Sequence, residues 1–303
     1  MTKDIKIFAV VVTYFPDLTH LEGFLNELDS QFDGIVVVDN GSAASLEIMN
    51  LCSNYQNINL ILNNINLGIG AAQNIGIKYS LSMQMTHIVL FDQDSMIHTG
   101  FAQQMLNAEN ILKSQGISIG ALGPKLIDQT TGNIIPFITF VSGIKKRISV
   151  IDDHQILECF SLLSSGTMIS QSALNLVGNI NEKLFLEYVD VEWGARARSL
   201  GLISFGVGSA KLIHNLGDRR IKIGPIIVPL HSPLRHYYTM RNAVAMQKLS
   251  YIPNYWKVYD AIRTIRGFFT FALFNPPRTQ QVKYMIVGLY HGFLGKSGAY
   301  PGQ

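Results

Sequence analysis

The apolar positions of the first hundred residues fall into short, nearly unbroken runs separated by stretches with helical spacing. Phe8-Ala9-Val10-Val11-Val12, Gly34-Ile35-Val36-Val37-Val38, Ile58-Asn59-Leu60-Ile61-Leu62 and His87-Ile88-Val89-Leu90-Phe91 have the length and β-branched content of strands, and the more continuous of them suit strands covered on both faces. Leu21, Phe24, Leu25 and Leu28 recur at the spacing of one helical face. Asn66-Leu67-Gly68-Ile69-Gly70 opens another helix through Ala71 to Ser80. Strands alternating with helices predict an α/β chain: a Rossmann-like, mostly parallel central sheet with right-handed crossovers, flanked by helices.

The second half is more mixed. Ile117 to Leu122 and Ile134 to Val141 read as strands, with a turn at Thr130-Thr131-Gly132-Asn133 between them. Leu162 to Ile169 reads as a strand broken at Ser165-Gly166, and Glu187 to Leu200 as a helix with Trp193, Ala197 and Leu200 on one face. From Pro253 the character changes: Trp256, Tyr259, Ile262, Phe269 and Phe274 mix with Arg263, Arg266 and Arg278. The expected division is an α/β domain over 1–245 and a C-terminal helical appendage over 246–303.

Composition narrows the partners. Charged residues make up 15% of the chain and hydrophobic ones 48%, a skew that fits a well-filled interior or a protein resting against a membrane. A net charge of +3 is too small to argue for nucleic acid. Cys52 and Cys159 are the only cysteines, which makes neither a disulfide framework nor a zinc site and points to a reducing compartment. Ile7 to Val12 is too short for a signal-peptide core, and no run reaches the roughly 18 apolar residues of a spanning helix. The cytoplasm is the expected location.

Asp92-Gln93-Asp94 carries the most chemistry. It follows the fourth strand directly, at the carboxyl end where open α/β sheets hold ligands. Asp92 and Asp94 lie two apart, so in extended chain both point to one side. Such oxygen ligands suit Mg²⁺ or Mn²⁺, ions that commonly bridge to phosphate. Thr13-Tyr14 and Asp39-Asn40-Gly41-Ser42 end the first two strands where a nucleotide can sit; the latter reads equally as a plain turn. Gly68-Ile69-Gly70 departs from G-x-G-x-x-G, since Gln73 stands at the last position, so dinucleotide chemistry is disfavoured and a tight entry to a ligand-facing helix is expected. Glu187, Asp190 and Glu192 cluster before Trp193; one can be a general base, or all can be a solvated helix start. His214 is either structural or a third ligand beside Asp94. Arg235 and Arg241 can clamp a diphosphate or lie as surface charge.

In their order these segments resemble family 2 glycosyltransferases of the GT-A fold, and among them bacterial rhamnosyltransferases that use dTDP-L-rhamnose. The likeness runs over roughly residues 6–245. Val11-Val12-Thr13-Tyr14, Val37-Val38-Asp39-Asn40-Gly41-Ser42 and Asn66-Leu67-Gly68 are similar to that family's nucleotide-binding segments, Phe91-Asp92-Gln93-Asp94-Ser95 to its metal motif, and Ser165-Gly166 to its acceptor-side loop. The resemblance implies donor contacts from Thr13, Tyr14, Asp39, Asn66, Gly68, Asp92 and Arg241, and a metal held by Asp92, Asp94 and His214. Val189-Asp190-Val191-Glu192-Trp193-Gly194-Ala195-Arg196 resembles the family's acidic helix start, which makes Asp190 the base. It departs from the pattern at Val189, where the family has an acid, and at Glu192, which replaces an Asp; Glu187 therefore stays a rival base. The implied activity is inverting, single-displacement transfer of a sugar, L-rhamnose foremost, to a glycan or polyprenyl-linked acceptor in bacterial surface polysaccharide synthesis. Alternatives are the same fold with UDP-galactofuranose or UDP-glucose, or a non-catalytic nucleotide-sugar binder. The C-terminal region either contacts the inner face of the membrane peripherally or packs on the catalytic domain or on a second subunit, which leaves a homo-oligomer open.

Overall fold

The computed structural model describes residues 4–214, 219–223 and 226–301. Its first half is β1 (Ile7–Thr13), α1 (Leu18–Asp29), β2 (Gly34–Asp39), α2 (Ser45–Cys52), β3 (Ile58–Leu62), α3 (Ile69–Ser82) and β4 (His87–Asp92). The four strands pair in parallel in the order β4-β1-β2-β3. Alternation along each strand feeds both faces. Val10, Val12, Val36, Val38, Ile88 and Leu90 enter one core, while Ala9, Val11, Ile35, Val37, Val89 and Phe91 enter the other. This two-sided burial is why the strands read as continuous apolar runs. Helix α1 lays Leu21, Phe24, Leu25 and Leu28 on the second core, and Asp17 caps it by accepting from His20 N–H at 2.9 Å.

Beyond β4 come β5 (Met96–Ile97), α4 (Phe101–Ser114), β6 (Ile119–Asp128), β7 (Ile134–Ile135), β8 (Phe137–Val141), β9 (Ile144–Ile148), β10 (Ile156–Cys159), β11 (Thr167–Ser170), α5 (Gln171–Val177), α6 (Val189–Ser199) and β12 (Ile203–His214). A hairpin, β13 (Arg219–Ile223) with β14 (Ile226–Leu230), leads to α7 (Pro233–Gln247), α8 (Asn254–Phe274) and α9 (Arg278–Phe293). The large sheet runs β10-β12-β6-β11-β4-β1-β2-β3. Strands β11 and β10 enter antiparallel, while β12 lies parallel to β6. The strand expected over Ile134 to Val141 is two pieces, β7 on β6 and β8 on β9, because Pro136 cannot donate to a ladder. The strand expected over Leu162 to Ile169 begins only at Thr167. Gly166, at φ +79°, makes the turn before it, and a Cβ there would lie 2.5 Å from Pro124 Cγ.

The C-terminal region is helical, as its composition implies. Helix α9 lies along α7 at close range: a Cβ on Gly288 would meet Tyr237 O at 2.5 Å, and one on Gly292 would meet Val244 Cβ at 2.7 Å. Gly288→Val therefore forces the two helices apart and is expected to cost about 1–3 kcal/mol. Urea unfolding checks this; an unchanged midpoint would show that the helices are not seated so closely.

Candidate active site

The carboxyl ends of β1, β2 and β4 open into a cleft of about 310 Å³ lined by Tyr14, Asn40, Asn66, Gly68, Asp92 and Gln93 on the sheet side. Phe185, Leu186, Leu234 and Tyr238 line its far wall. The rings of Phe185 and Tyr238 stack at 4.9 Å. Gln93 ties β4 to β1, accepting from Tyr14 N–H at 2.7 Å and donating to Tyr14 O at 3.2 Å. Its amide thus continues the ladder one residue past the strands and leaves Asp92 and Asp94 to flank it.

His214 reaches these aspartates through strand pairing. Strand β5, immediately after the Asp92–Ser95 turn, pairs antiparallel with the end of β12: Met96 opposite Ile213 and Ile97 opposite Leu212. The imidazole then lies with Nε2 3.9 Å from Asp92 Oδ2 and Nδ1 3.8 Å from Asp94 Oδ1. These separations are too long for hydrogen bonds, and Nδ1 is buried with no partner among the described residues. One donor atom from each of Asp92, Asp94 and His214 falls within 4.8 Å of the others. An ion about 2.1 Å from each ligand sets neighbouring ligands about 3 Å and opposed ones about 4.2 Å apart, so the spacing suits a shared cation. Two carboxylates and an imidazole also make a donor set for a hard or borderline divalent ion. The sequence-predicted metal residues thus meet at one point.

Burial pushes the Asp92 carboxyl above its ordinary value although 37% of its side chain reaches solvent; Asp94 pushes the same way, while His214 and Arg235 oppose it. Asp190, in the first turn of α6, is pushed up to about 6, chiefly by burial, with the charges of Glu187 and Asp92 adding to it and hydrogen bonds from the backbone opposing it. Asp190 accepts from Val191 N–H at 2.8 Å and pairs with no cation among the described residues. It lines a small apolar recess of about 30 Å³ with Leu162, Ile180 and Trp193. Glu187 is instead bound to the Arg235 guanidinium. Glu192 is 1% exposed and engaged by Arg196 at 2.9 Å and by the Tyr251 hydroxyl, so it braces α6.

The turn that carries Glu187 is strained. Phe185, Glu187 and Tyr188 all have positive φ, at 62°, 58° and 68°, a conformation side-chain-bearing residues hold only where surroundings compel it. Asn242 supplies the compulsion: its amide donates to the carbonyls of Leu184, Leu186 and Glu187. Arg241, 1% exposed, donates to Lys183 O, Leu184 O and Gly298 O. Ile69 N–H reaches Phe185 O at 2.7 Å. Gly68, at φ +87°, leaves room for that approach, since a Cβ would lie 2.6 Å from the same oxygen.

The remaining sequence-predicted donor residues divide. Tyr14, Asn66, Gly68 and Asp92 face the cleft. Thr13 and Asp39 lie beneath it, both 0% exposed, with Asp39 accepting from the Thr13 and Ser42 hydroxyls and from Ser42 N–H. Arg241 lies behind the Phe185 turn, and Arg235 is the arginine whose charge reaches Asp92. Gln93, Asn242, Phe185 and Tyr238 were given no role from sequence, although Gln93 lies inside the Asp92–Asp94 motif and Asn242 beside Arg241 in a pair that resembles the family's Arg-Asn segment. A signal existed for Gln93, held between the two aspartates; the others depend on chain segments that meet only in the fold.

Among the described residues, no helix is long and apolar enough to cross a membrane. Residues 9–110 match glycosyl transferase family 2. The chain is 31% identical over 294 residues to the dTDP-rhamnosyl transferase RfbF of Shigella flexneri, covering 97% of each protein. Among solved structures it resembles S. aureus TarS 1–349 in complex with UDP-GlcNAc, with a TM-score of 0.54 and 14% identity over 96% of this chain and 93% of that one. It also resembles GalNAc-T7 with UDP, GalNAc and Mn²⁺, with a TM-score of 0.57 and 12% identity over 91% of this chain and 59% of that one. These two likenesses establish the GT-A fold.

Removing either His214 or Asp94 should loosen cation binding without unfolding the chain. Even losing an outer-sphere partner weakens metal binding about 10–100-fold, so His214→Ala and Asp94→Ala are each expected to weaken Mn²⁺ at least about tenfold. Titration calorimetry measures this directly, and wild-type affinity in both variants would remove the three residues from consideration as ligands.

Proposed function

The chain belongs to glycosyl transferase family 2, and we propose that this glycosyltransferase moves L-rhamnose from dTDP-rhamnose, with inversion, to a hydroxyl of a glycan or polyprenyl-linked acceptor. The observation that carries the mechanism is the contrast between two neighbouring carboxylates. Asp190 has no cation partner among the described residues and takes up a proton near pH 6, whereas Glu187 is paired with Arg235. A general base needs a free carboxylate whose proton affinity is close to working pH. Asp190 meets that requirement better than Glu187, and better than Glu192, which is already bound by Arg196 and Tyr251.

In this reading Asp190 accepts the acceptor hydroxyl's proton as the oxygen bonds to the anomeric carbon. The bond from that carbon to the nucleoside diphosphate breaks in the same step, and its electron pair leaves on the diphosphate. Asp92, Asp94 and His214 would hold Mg²⁺ or Mn²⁺, which would supply positive charge against the departing phosphates. Arg235, held by Glu187, would add positive charge near the same phosphates. The nucleoside lies along Tyr14, Asn66 and Gly68, closed in by Phe185 and Tyr238. Support for the rhamnosyl donor comes from the full-length likeness to RfbF.

Asp190→Asn is expected to lower transfer by about 10²–10⁴-fold with donor binding retained. Its effect on stability has the opposite sign. The folded carboxyl takes up a proton near pH 6, against an ordinary value of 3.8. The folded state therefore binds the proton more tightly, and ionising Asp190 removes stability as pH rises through that window. The Asn variant should accordingly melt higher than wild type at pH 8, and wild-type transfer should rise as pH passes about 6. Initial rates and melting curves across pH test both halves; full transfer by Asp190→Asn would eliminate it as the base.

Donor identity is read separately. A nucleotide sugar at about 100 times its dissociation constant adds roughly 2.7 kcal/mol of stability. With Mn²⁺ present, dTDP-rhamnose is expected to raise the melting temperature more than UDP-glucose or UDP-galactofuranose at equal concentration. A larger shift from either UDP sugar would reassign the donor.

A further inference from the structure

The β8–β9 hairpin and α8 enclose a groove of about 510 Å³ that takes no part in the site described above. Four cations line it: Lys145 and Arg147 from the hairpin, Arg263 and Arg266 from the helix, with Phe271 and Phe274 at one end. Lys145 is fixed by a 2.6 Å hydrogen bond to Tyr259, over whose ring it also lies at 4.6 Å. Arg263 is fixed by Asp260. Arg147 and Arg266 pair with no carboxylate among the described residues. Beside the groove, Val258, Ile262, Ile265, Phe269 and Leu273 recur at helical spacing on α8 and are each 54–61% exposed. Apolar residues lined up in this way, unlike singly scattered ones, mark a contact surface.

The charge surrounding that stripe selects its occupant. Residues 253–303 hold six of the chain's 24 Lys and Arg but only one of its 21 Asp and Glu. That one, Asp260, is fully buried. Pairing two copies of the chain through this face would set cation against cation, which disfavours self-association. An anionic bilayer satisfies both features: lipid phosphates meet the arginines while the stripe enters the headgroup–acyl boundary. Helix α8 is not apolar enough to cross a membrane, which leaves it lying in the interface plane.

We infer that α8 and the β8–β9 hairpin form a docking surface for an anionic phospholipid bilayer, with lipid phosphate seated between Arg147 and Arg266. The groove is linked to the helix that carries Asp190. Arg263, in the groove wall, donates to the Tyr188 hydroxyl, and Tyr188 caps the helix that carries Asp190.

Vesicle flotation tests this with no donor or acceptor present, so its failure would leave the transferase reading untouched. Wild type is expected to float with vesicles of equal parts phosphatidylglycerol and phosphatidylcholine, and not with phosphatidylcholine alone. Binding should fall as salt is raised to 1 M, where the screening length shrinks to about 3 Å. The double charge reversal Arg147→Glu/Arg266→Glu should lower partitioning by more than about tenfold. Ile265→Ser/Phe269→Ser should lower it comparably, with the melting temperatures of both variants confirming that they fold. Three results would each overturn the inference: wild type indifferent to phosphatidylglycerol, variants that float like wild type, or a solution dimer that Ile265→Ser/Phe269→Ser dissolves, which would make a second copy the occupant.

Discussion

The Asn242 amide holds the Phe185–Tyr188 turn, and much of the site depends on that turn keeping its shape. Three side-chain-bearing residues at positive φ cost on the order of 1–3 kcal/mol each. The strain persists because buried donors meet carbonyls that would otherwise be unpaired: Asn242 meets those of Leu184, Leu186 and Glu187, and Arg241 meets those of Lys183 and Leu184. One short turn thereby serves several ends. It sets the Phe185 ring as a cleft wall, points Glu187 at Arg235, and starts α6 so that Asp190 falls in its first turn.

Around that frame the charges are arranged at some expense to stability. Asp92, Asp94, Glu187 and Asp190 gather at one end of the sheet, with Arg235 the guanidinium paired into the group. Burial and mutual repulsion raise Asp92 and Asp190, so the unliganded site is a place of unfavourable electrostatics. In the proposed reaction a divalent cation would relieve that on the Asp92 side, and a proton accepted by Asp190 would relieve it there. The same forces that weaken the site thus favour binding and proton uptake.

The scaffold makes this tolerable. A sheet buried on both faces by two apolar cores leaves the strand ends as rigid points, and Gln93 extends the ladder one residue beyond β4, between the two aspartates. Close seating of α9 on α7 at Gly288 and Gly292 fixes the helix that bears Arg235, Arg241 and Asn242. Helix α8 carries an exposed apolar stripe beside a cationic groove that shares no lining residue with the cleft.

Much of this was legible in the chain itself. The four parallel strands, the buried face of α1 and the Asp92-Gln93-Asp94 turn at a strand end follow from periodicity and from residue types adjacent in sequence, which act over a few residues. Pro136 shows the limit of that reading, since the apolar run around it looked continuous until the missing N–H divided it. What only the tertiary structure decided is which distant groups share a space. Pairing of β5 with β12 brings His214 to the aspartates; packing under the Phe185 turn engages Arg241 and leaves Arg235 bound to Glu187; an ion pair to Arg196 removes Glu192 while Asp190 has no cation partner among the described residues. Residue type and spacing set what a side chain is able to do, whereas burial and through-space distance, which local sequence does not encode, set what it does.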